Sequence, residues 1–161
     1  MTRENFQFSI KIYDSSNELN KEDAQLLSEA RNVTKFAYAP YSHFKVGAFA
    51  RLLNGQTVSG TNQENASYPA GICAERTLLS TASSLFPGVG IETVAIAYHN
   101  MIGESKVPIS PCGICRQSFV EFQHRTGNPI RLLLSGQEGQ VQVIDNAADL
   151  LPLVFEFGDE A

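Results

Sequence analysis

The most informative residues of this chain are Cys73-Ala74-Glu75 and Pro111-Cys112-Gly113-Ile114-Cys115, two short stretches that contain all three cysteines. Each stretch stands at the predicted start of a helix. A helix N-terminus carries partial positive charge and free amide groups, which lower the pKa of a cysteine and favour its thiolate form. The two helix starts therefore predict three thiolates that converge at one place in the fold.

Apolar residues at helical spacing define the helix that follows each stretch. In the first helix these residues are Ala74, Leu78, Ala82 and Leu85, and Pro87-Gly88 ends it. In the second helix they are Cys115, Phe119 and Phe122, and this helix ends before Gly127. An earlier helix is capped by Asn20 and continues through Leu26, Ala30, Val33 and Ala37 until Pro40 forbids it.

The remaining apolar runs have the period or composition of strands. Residues 44–52 and 56–60 flank Asn54-Gly55, a strong hairpin signal because both residues tolerate positive φ. Further strands are predicted at 93–98, 132–134 and 141–144, and the alternation of Phe6, Phe8, Ile10 and Ile12 predicts one at 6–12. The order of these elements predicts an α/β fold in which helices sandwich a mixed central sheet.

Length and charge limit the class of protein. The 161 residues suit a single domain spanning 1–161, with 1–20 as an N-terminal extension. The chain has neither a signal-like start nor a run of about 18 apolar residues, so we expect a cytoplasmic protein without a membrane segment. A net charge of −5 makes nucleic acid a poor candidate partner.

Three cysteines without a fourth ligand at motif spacing suggest a catalytic metal site. Tetrahedral zinc with three protein ligands keeps its fourth position for water, whereas a structural site normally closes with another Cys or His. His43, His99 and His124 stand apart from the cysteines in sequence. Glu75 lies two residues after Cys73, about 200° around a helix, and is better placed to transfer a proton than to bind the metal. Structural zinc, or a redox dithiol at Cys112 and Cys115, is the alternative.

Five segments together resemble the small cytidine deaminases. They are Tyr41-Ser42-His43-Phe44-Lys45-Val46-Gly47-Ala48, Asn62-Gln63-Glu64-Asn65-Ala66-Ser67-Tyr68, Cys73-Ala74-Glu75-Arg76, Ser110-Pro111-Cys112-Gly113-Ile114-Cys115-Arg116-Gln117 and Leu150-Leu151-Pro152. The resemblance covers about residues 22–155. It implies a three-layer α/β/α sandwich with a mixed five-stranded sheet, to which residues 6–12 add a strand. It also implies a homotetramer with one Zn2+ per subunit, bound by Cys73, Cys112 and Cys115.

The same resemblance implies further site residues. Asn62 and Glu64 match the pair that holds the ribose 3′-hydroxyl, and Phe44 matches a wall of the pyrimidine pocket. Arg76 matches an arginine that bonds to the zinc thiolates, and Phe155 matches an aromatic residue that reaches a neighbouring subunit's pyrimidine. Each of these residues also has a structural alternative. Phe44 and Phe155 could be core residues, and Arg76 could face solvent. Asn62 and Glu64 could be polar loop residues.

The implied activity is hydrolysis of the exocyclic amine of cytidine or deoxycytidine in pyrimidine salvage. Glu75 would move the proton of water to N3 and later to the leaving amine, as in zinc deaminases generally. Cys73 favours free nucleosides, because deaminases that act on polynucleotides resemble a His-Ala-Glu pattern. A deaminase of another amine, such as blasticidin S or a modified nucleoside, and a non-catalytic zinc module are the rival hypotheses.

Overall fold

The computed structural model describes residues 1–156, so the last five positions of the predicted domain lie outside the described residues. Six strands form one sheet in the order β1-β6-β5-β4-β2-β3. The strands are β1 (Lys11–Tyr13), β2 (Phe44–Leu52), β3 (Thr57–Thr61), β4 (Ile91–Asn100), β5 (Arg131–Ser135) and β6 (Val141–Ile144). The helices are α1 (Lys21–Val33), α2 (Ala74–Leu85) and α3 (Gly113–Thr126).

The sheet is mixed and separates two apolar cores. Strands β4 and β5 are parallel, while every other neighbouring pair is antiparallel. On one face α1 contributes Leu27 and Ala30 to a core with Ala95 and Leu133. On the other face α2 and α3 contribute Leu78 and Phe119, respectively. The predicted three-layer α/β/α sandwich is therefore confirmed, and β1 is the added sixth strand.

Local signals in the sequence account for several element boundaries. The Asn20 side chain accepts a hydrogen bond from the amide of Asp23 at 2.8 Å and caps α1 as predicted. Gly55 has a φ of +79° in the turn between β2 and β3. Gly127 ends α3 with a φ of +69°, a left-handed conformation that glycine adopts at low cost.

Two predicted boundaries and the burial predicted for one residue differ from the structure. The N-terminal strand is only Lys11–Tyr13, because β6 offers a short edge and its pairs with β1 run only from Val141 to Val143. The side chains of Phe6, Phe8, Ile10 and Ile12 are exposed. Helix α1 ends at Val33 and tightens into a 3-10 turn, Thr34–Phe36, so Ala37 lies beyond it. Leu85 is exposed, because it is the last residue of α2, where the helix no longer buries that face.

Two glycines set the distance between the helices and the sheet. A Cβ at Gly60 of β3 would overlap backbone atoms of Ala74 and Leu78 in α2. A Cβ at Gly47 of β2 would overlap the carbonyl oxygen of Ala30 in α1. Because Gly60 has no side chain, the first turn of α2, which follows Cys73, packs directly on the sheet. Within residues 1–156, no helix combines the length and apolarity that a membrane crossing requires.

Candidate active site

The three cysteines meet at the adjacent N-termini of α2 and α3. Cys73 is the residue before α2, Cys112 is the residue before α3, and Cys115 lies in the first turn of α3. The Sγ of Cys112 is 3.8 Å from that of Cys73 and 3.5 Å from that of Cys115, and all three sulfurs lie within 4.8 Å of one another. Three thiolates bound at about 2.3 Å to one tetrahedral zinc are about 3.8 Å apart. The donor set therefore fits zinc in both chemistry and spacing.

Hydrogen bonds fix the two loops that carry the ligands. The Thr77 hydroxyl donates to the carbonyl oxygens of Thr61 and Cys73, each at 3.2 Å, and so links α2 to β3. The Arg116 guanidinium donates to the carbonyl oxygen of Pro111 at 2.8 Å and to that of Leu150 at 3.1 Å. Arg116 thus holds the residue before Cys112. No role is predicted for Arg116 from the sequence, although its position directly after Cys115 in the motif suggests a role near the cysteines.

The thiols differ in proton affinity. A hydrogen bond with Cys115 lowers the pKa of Cys73 to about 6 against the opposing effect of burial, with help from Cys112 and from the charge of Arg76. The same hydrogen bond and burial raise the pKa of Cys115. Cys73 therefore gives up its proton more readily than Cys115. A divalent cation would draw off the remaining protons, since thiolates are the form that binds metal.

Glu75 is a buried carboxyl beside the sulfurs. It is 6% exposed, and burial raises its pKa, as does the negative charge of Cys73. Its own backbone amide and the Cys115 thiol donate hydrogen bonds to it and partly offset this rise in pKa. A carboxyl with a raised pKa next to a set of metal-binding thiols is suited to accept and return a proton.

Asn62 joins the end of β3 to the start of β2. Its side-chain oxygen, Oδ1, accepts a hydrogen bond from the backbone amide of Val46 at 2.7 Å. Its side-chain nitrogen, Nδ2, donates to the backbone carbonyl oxygen of Phe44 at 2.9 Å. A carboxamide has a second N–H and a second lone pair, so each end of the side chain retains one hydrogen-bonding position. Asn62 is both a structural clamp and a candidate ligand for a polar substrate group.

Glu64 holds the turn that precedes β2. Its Oε2 accepts from the amides of Tyr41 and Ser42 at 2.9 and 3.3 Å. Partial burial raises the pKa of Glu64, but hydrogen bonds from the Ser42 hydroxyl and the two amides outweigh burial, and the net pKa is lowered. In the same turn His43 has a φ of +56°, which costs energy in a residue other than glycine. The carboxylate is therefore ionised and fixed close to Phe44.

The other three predicted site residues, Phe44, Arg76 and Phe155, have different surroundings. The ring of Phe44 is half-buried and stacks on Tyr98 at 4.7 Å with an interplanar angle of 16°. Arg76 lines a groove of about 410 Å³ between α2 and α3. Its positive charge helps to lower the pKa of Cys73. Phe155 is 65% exposed, and its backbone exchanges hydrogen bonds with the Gln117 side chain. Tyr98 had no assigned role in the sequence analysis, because a buried strand residue gives no sign of its partner.

Three comparisons identify the class of protein. Residues 20–127 match the family described as the cytidine and deoxycytidylate deaminase zinc-binding region. A cytidine deaminase of Halalkalibacterium halodurans is 37% identical over 83% of this chain and 94% of its own length. The crystal structure of cytidine deaminase from Burkholderia pseudomallei matches with a TM-score of 0.71 at 37% identity, over 85% of this chain and 100% of its own. That of Mycobacterium tuberculosis matches with a TM-score of 0.63 at 27% identity, over 87% of this chain and 100% of its own.

The fold and the three-sulfur cluster thus define a zinc-binding deaminase. The chain belongs to the cytidine and deoxycytidylate deaminase family and is an enzyme. The sulfurs of Cys73, Cys112 and Cys115 fit one Zn2+ per subunit.

Proposed function

We propose that this enzyme hydrolyses cytidine and deoxycytidine at C4 of the base to give uridine or deoxyuridine and ammonia. The observation that carries the proposal is the cluster of three cysteine sulfurs within 4.8 Å of one another, with the buried carboxyl of Glu75 beside it. The cytidine deaminases to which the chain is similar support the choice of substrate.

Cys73, Cys112 and Cys115 would hold the zinc. When bound, zinc supplies Lewis acidity, which lowers the pKa of a coordinated water from 15.7 to about 7. Arg76 supplies a positive charge near Cys73. Three thiolates would otherwise leave the site net anionic, and a nearby cation restores part of the acidity that activation of water requires.

Glu75 carries the proton in this proposal. Its carboxylate accepts a proton from the attacking water and delivers it to N3 of the base. Glu75 then takes the second proton of the same water, from the hydroxyl now bonded to C4, and transfers it to the amine. The carbon–nitrogen bond breaks as the C4 carbonyl forms and ammonia leaves, so one water is consumed for each ammonia released. A positioned general acid/base typically contributes about 10²–10⁴ in rate.

Asn62 and Glu64 would bind the ribose. The Oε1 atom of Glu64 and the second amide hydrogen of Asn62 are the positions that the described backbone contacts do not use. A carboxylate accepts from a sugar hydroxyl, while a carboxamide can donate to the same oxygen. This pair selects a nucleoside over the bare base.

Phe44 would form one wall of the base pocket, and Phe155 of a neighbouring subunit would cover the other face in a homotetramer. Tyr98 supports the Phe44 ring from behind by stacking. The side chain of Phe155 is 65% exposed and that of Ile114, between two of the cysteines, is 63% exposed, so both are accessible to a neighbouring subunit.

Pyrimidine salvage in the cytoplasm is the physiological role that we propose. A deaminase of blasticidin S or of a modified nucleoside would share the zinc chemistry, but it would not require Asn62 and Glu64 as a ribose-binding pair. A non-catalytic zinc module would not need a carboxyl buried against the sulfurs, because burial of an ionisable group costs stability.

A substrate panel tests the proposal. Cytidine, deoxycytidine, free cytosine and blasticidin S are offered to one preparation whose zinc content is measured in parallel. We expect loss of the absorbance of cytidine and deoxycytidine and little change with the other two. Turnover of blasticidin S alone, or none of the four with a full complement of zinc, would overturn the proposal.

A further inference from the structure

The N-terminal residues lie outside the region that carries the family match. The match begins at residue 20, after β1, and 85% of this chain suffices to cover the whole Burkholderia structure. The proposed function therefore involves none of residues 1–19.

Strand β1 anchors this segment beside the chain that leads to Phe155. Lys11 pairs with Val143 and Tyr13 with Val141 of β6. The Lys11 ammonium also contacts both carboxylate oxygens of Asp145, at 2.7 and 2.9 Å. Asp145 directly precedes Asn146, the cap of the 3-10 helix Ala147–Leu150. The segment before β1 thus starts from a fixed point close to that helix.

Two aromatic residues of the segment border a cavity beside the same stretch of chain. Phe6 and Phe8 line a cavity of about 250 Å³ together with Ala148, Asp149, Leu151 and Pro152. The side chains of Phe6 and Phe8 are 58% and 44% exposed, so each is partly covered. Because Ile12 of β1 lies opposite Gln142, it shares a sheet face with Ile144, which belongs to the core beneath α3.

Residues 150–155 are held on their other side by α3. Arg116 binds the carbonyl oxygen of Leu150, and Gln117 exchanges two hydrogen bonds with the backbone of Phe155, at 2.8 and 3.3 Å. Arg116 also binds the residue before Cys112. The stretch from Leu150 to Phe155 is therefore bound to α3, and its residues Leu151 and Pro152 border the cavity that Phe6 and Phe8 line.

We propose that Phe6 and Phe8 are positioning residues that hold residues 150–155 against α3 and so fix where Phe155 is presented. The inference rests on the proposed function, in which Phe155 covers the pyrimidine of a neighbouring subunit. Stacking of Phe155 on the base acts in the ground state and in the transition state alike, so its displacement raises KM and leaves kcat nearly unchanged.

The test combines kinetics with hydrogen exchange on the full chain carrying Phe6→Ser and Phe8→Ser. We expect KM for cytidine to rise about two- to tenfold with kcat within about twofold, the range expected when one aromatic contact is weakened. The amides of residues 149–155 should exchange faster, and zinc content should stay at the wild-type value. The control is Ile10→Ser, an exposed apolar residue of the same segment, which should change neither KM nor exchange.

A double-mutant cycle separates positioning from general stabilisation. In a Phe155→Ala background the two serine substitutions should raise KM no further, because the residue that they position is already gone. Equal additional effects in both backgrounds would overturn the inference, as would unchanged exchange at residues 149–155. A changed subunit number by light scattering with unchanged exchange would also overturn it, because the pair would then contact another copy. If the wild-type enzyme does not deaminate cytidine, the proposed function is wrong. The exchange result still tests whether Phe6 and Phe8 hold residues 150–155 against α3.

Discussion

At the residue scale, the candidate substrate residues do two things at once. Asn62 ties Phe44 and Val46 of β2 to the end of β3, and Glu64 fixes the amides of Tyr41 and Ser42. Loss of either side chain would disturb the pocket wall as well as a contact to substrate. Substitutions that preserve the internal hydrogen bonds are therefore more informative than alanine.

Glu64→Gln should raise KM for cytidine about 2- to 13-fold. Its side-chain oxygen can still accept from the Tyr41 amide, but the charged acceptor for the sugar is lost, and one hydrogen bond contributes about 0.5–1.5 kcal/mol.

Asn62→Ala should raise KM for cytidine and also lower the thermal midpoint, because it removes the hydrogen bonds to Phe44 and Val46 of β2. Steady-state kinetics and thermal unfolding of both variants check this prediction.

Free cytosine is the control for sugar recognition, since it lacks the ribose. Its slow turnover should be the same in wild type and Glu64→Gln. Identical cytidine kinetics in wild type and in both variants would remove Asn62 and Glu64 from the site.

At the element scale, the close packing of α2 on β3 sets the position of the first thiol and of Glu75. Gly60 permits that approach, because any Cβ there would overlap the backbone of Ala74 and Leu78. Overpacking of this kind typically costs about 1–3 kcal/mol. It would move the helix that begins directly after Cys73.

Gly60→Ala should therefore lower the thermal midpoint by about 2–4 °C per kcal/mol and reduce zinc content together with activity. Ser59→Ala is the matched control, because Ser59 is the exposed neighbour on the same strand. Calorimetry and metal analysis on both variants measure the effect. A Gly60→Ala protein with wild-type midpoint and zinc content would mean that the contact with α2 does not fix the helix.

Element types were predictable from the sequence, because each has a local cause. The Asn20 cap, the Asn54-Gly55 turn and the stripe of Cys115, Phe119 and Phe122 all act within a few residues, and the structure has them as expected. The length of β1 was not predictable, since it depends on how much edge β6 offers. The same holds for Arg116 and Tyr98, whose partners lie far along the chain or depend on strand register.

At the scale of the whole molecule, we expect a homotetramer whose sites are shared between subunits. Phe155 is largely exposed, while its backbone is held by Gln117 of its own subunit. This arrangement suits a side chain that is presented to a neighbour. A 161-residue chain is long enough to fold alone, so assembly would serve the pocket rather than the fold.

Co-expression of Glu75→Ala and Phe155→Ala subunits tests the shared site. Each variant alone should be impaired, but mixed tetramers contain sites that combine an intact Glu75 with a neighbour's intact Phe155. At cytidine concentrations well below KM, we expect the turnover per subunit with an intact Glu75 to be higher in mixed tetramers than in Phe155→Ala alone, with tetramers verified by light scattering. A monomer in solution, or no recovery in mixed tetramers, would place Phe155 in its own subunit.

The most direct test of the central claim is cytidine turnover by Glu75→Gln at a measured zinc content. The three cysteines hold the metal in this account and Glu75 moves the proton, so Glu75→Gln should keep its zinc and lose about 10²–10⁴ in kcat. Cys73→Ala, Cys112→Ala and Cys115→Ala, the matched variants, should each lose zinc instead. A Glu75→Gln protein that loses its metal, with residual activity in proportion to the zinc that remains, would contradict the account, as would full activity at full zinc content.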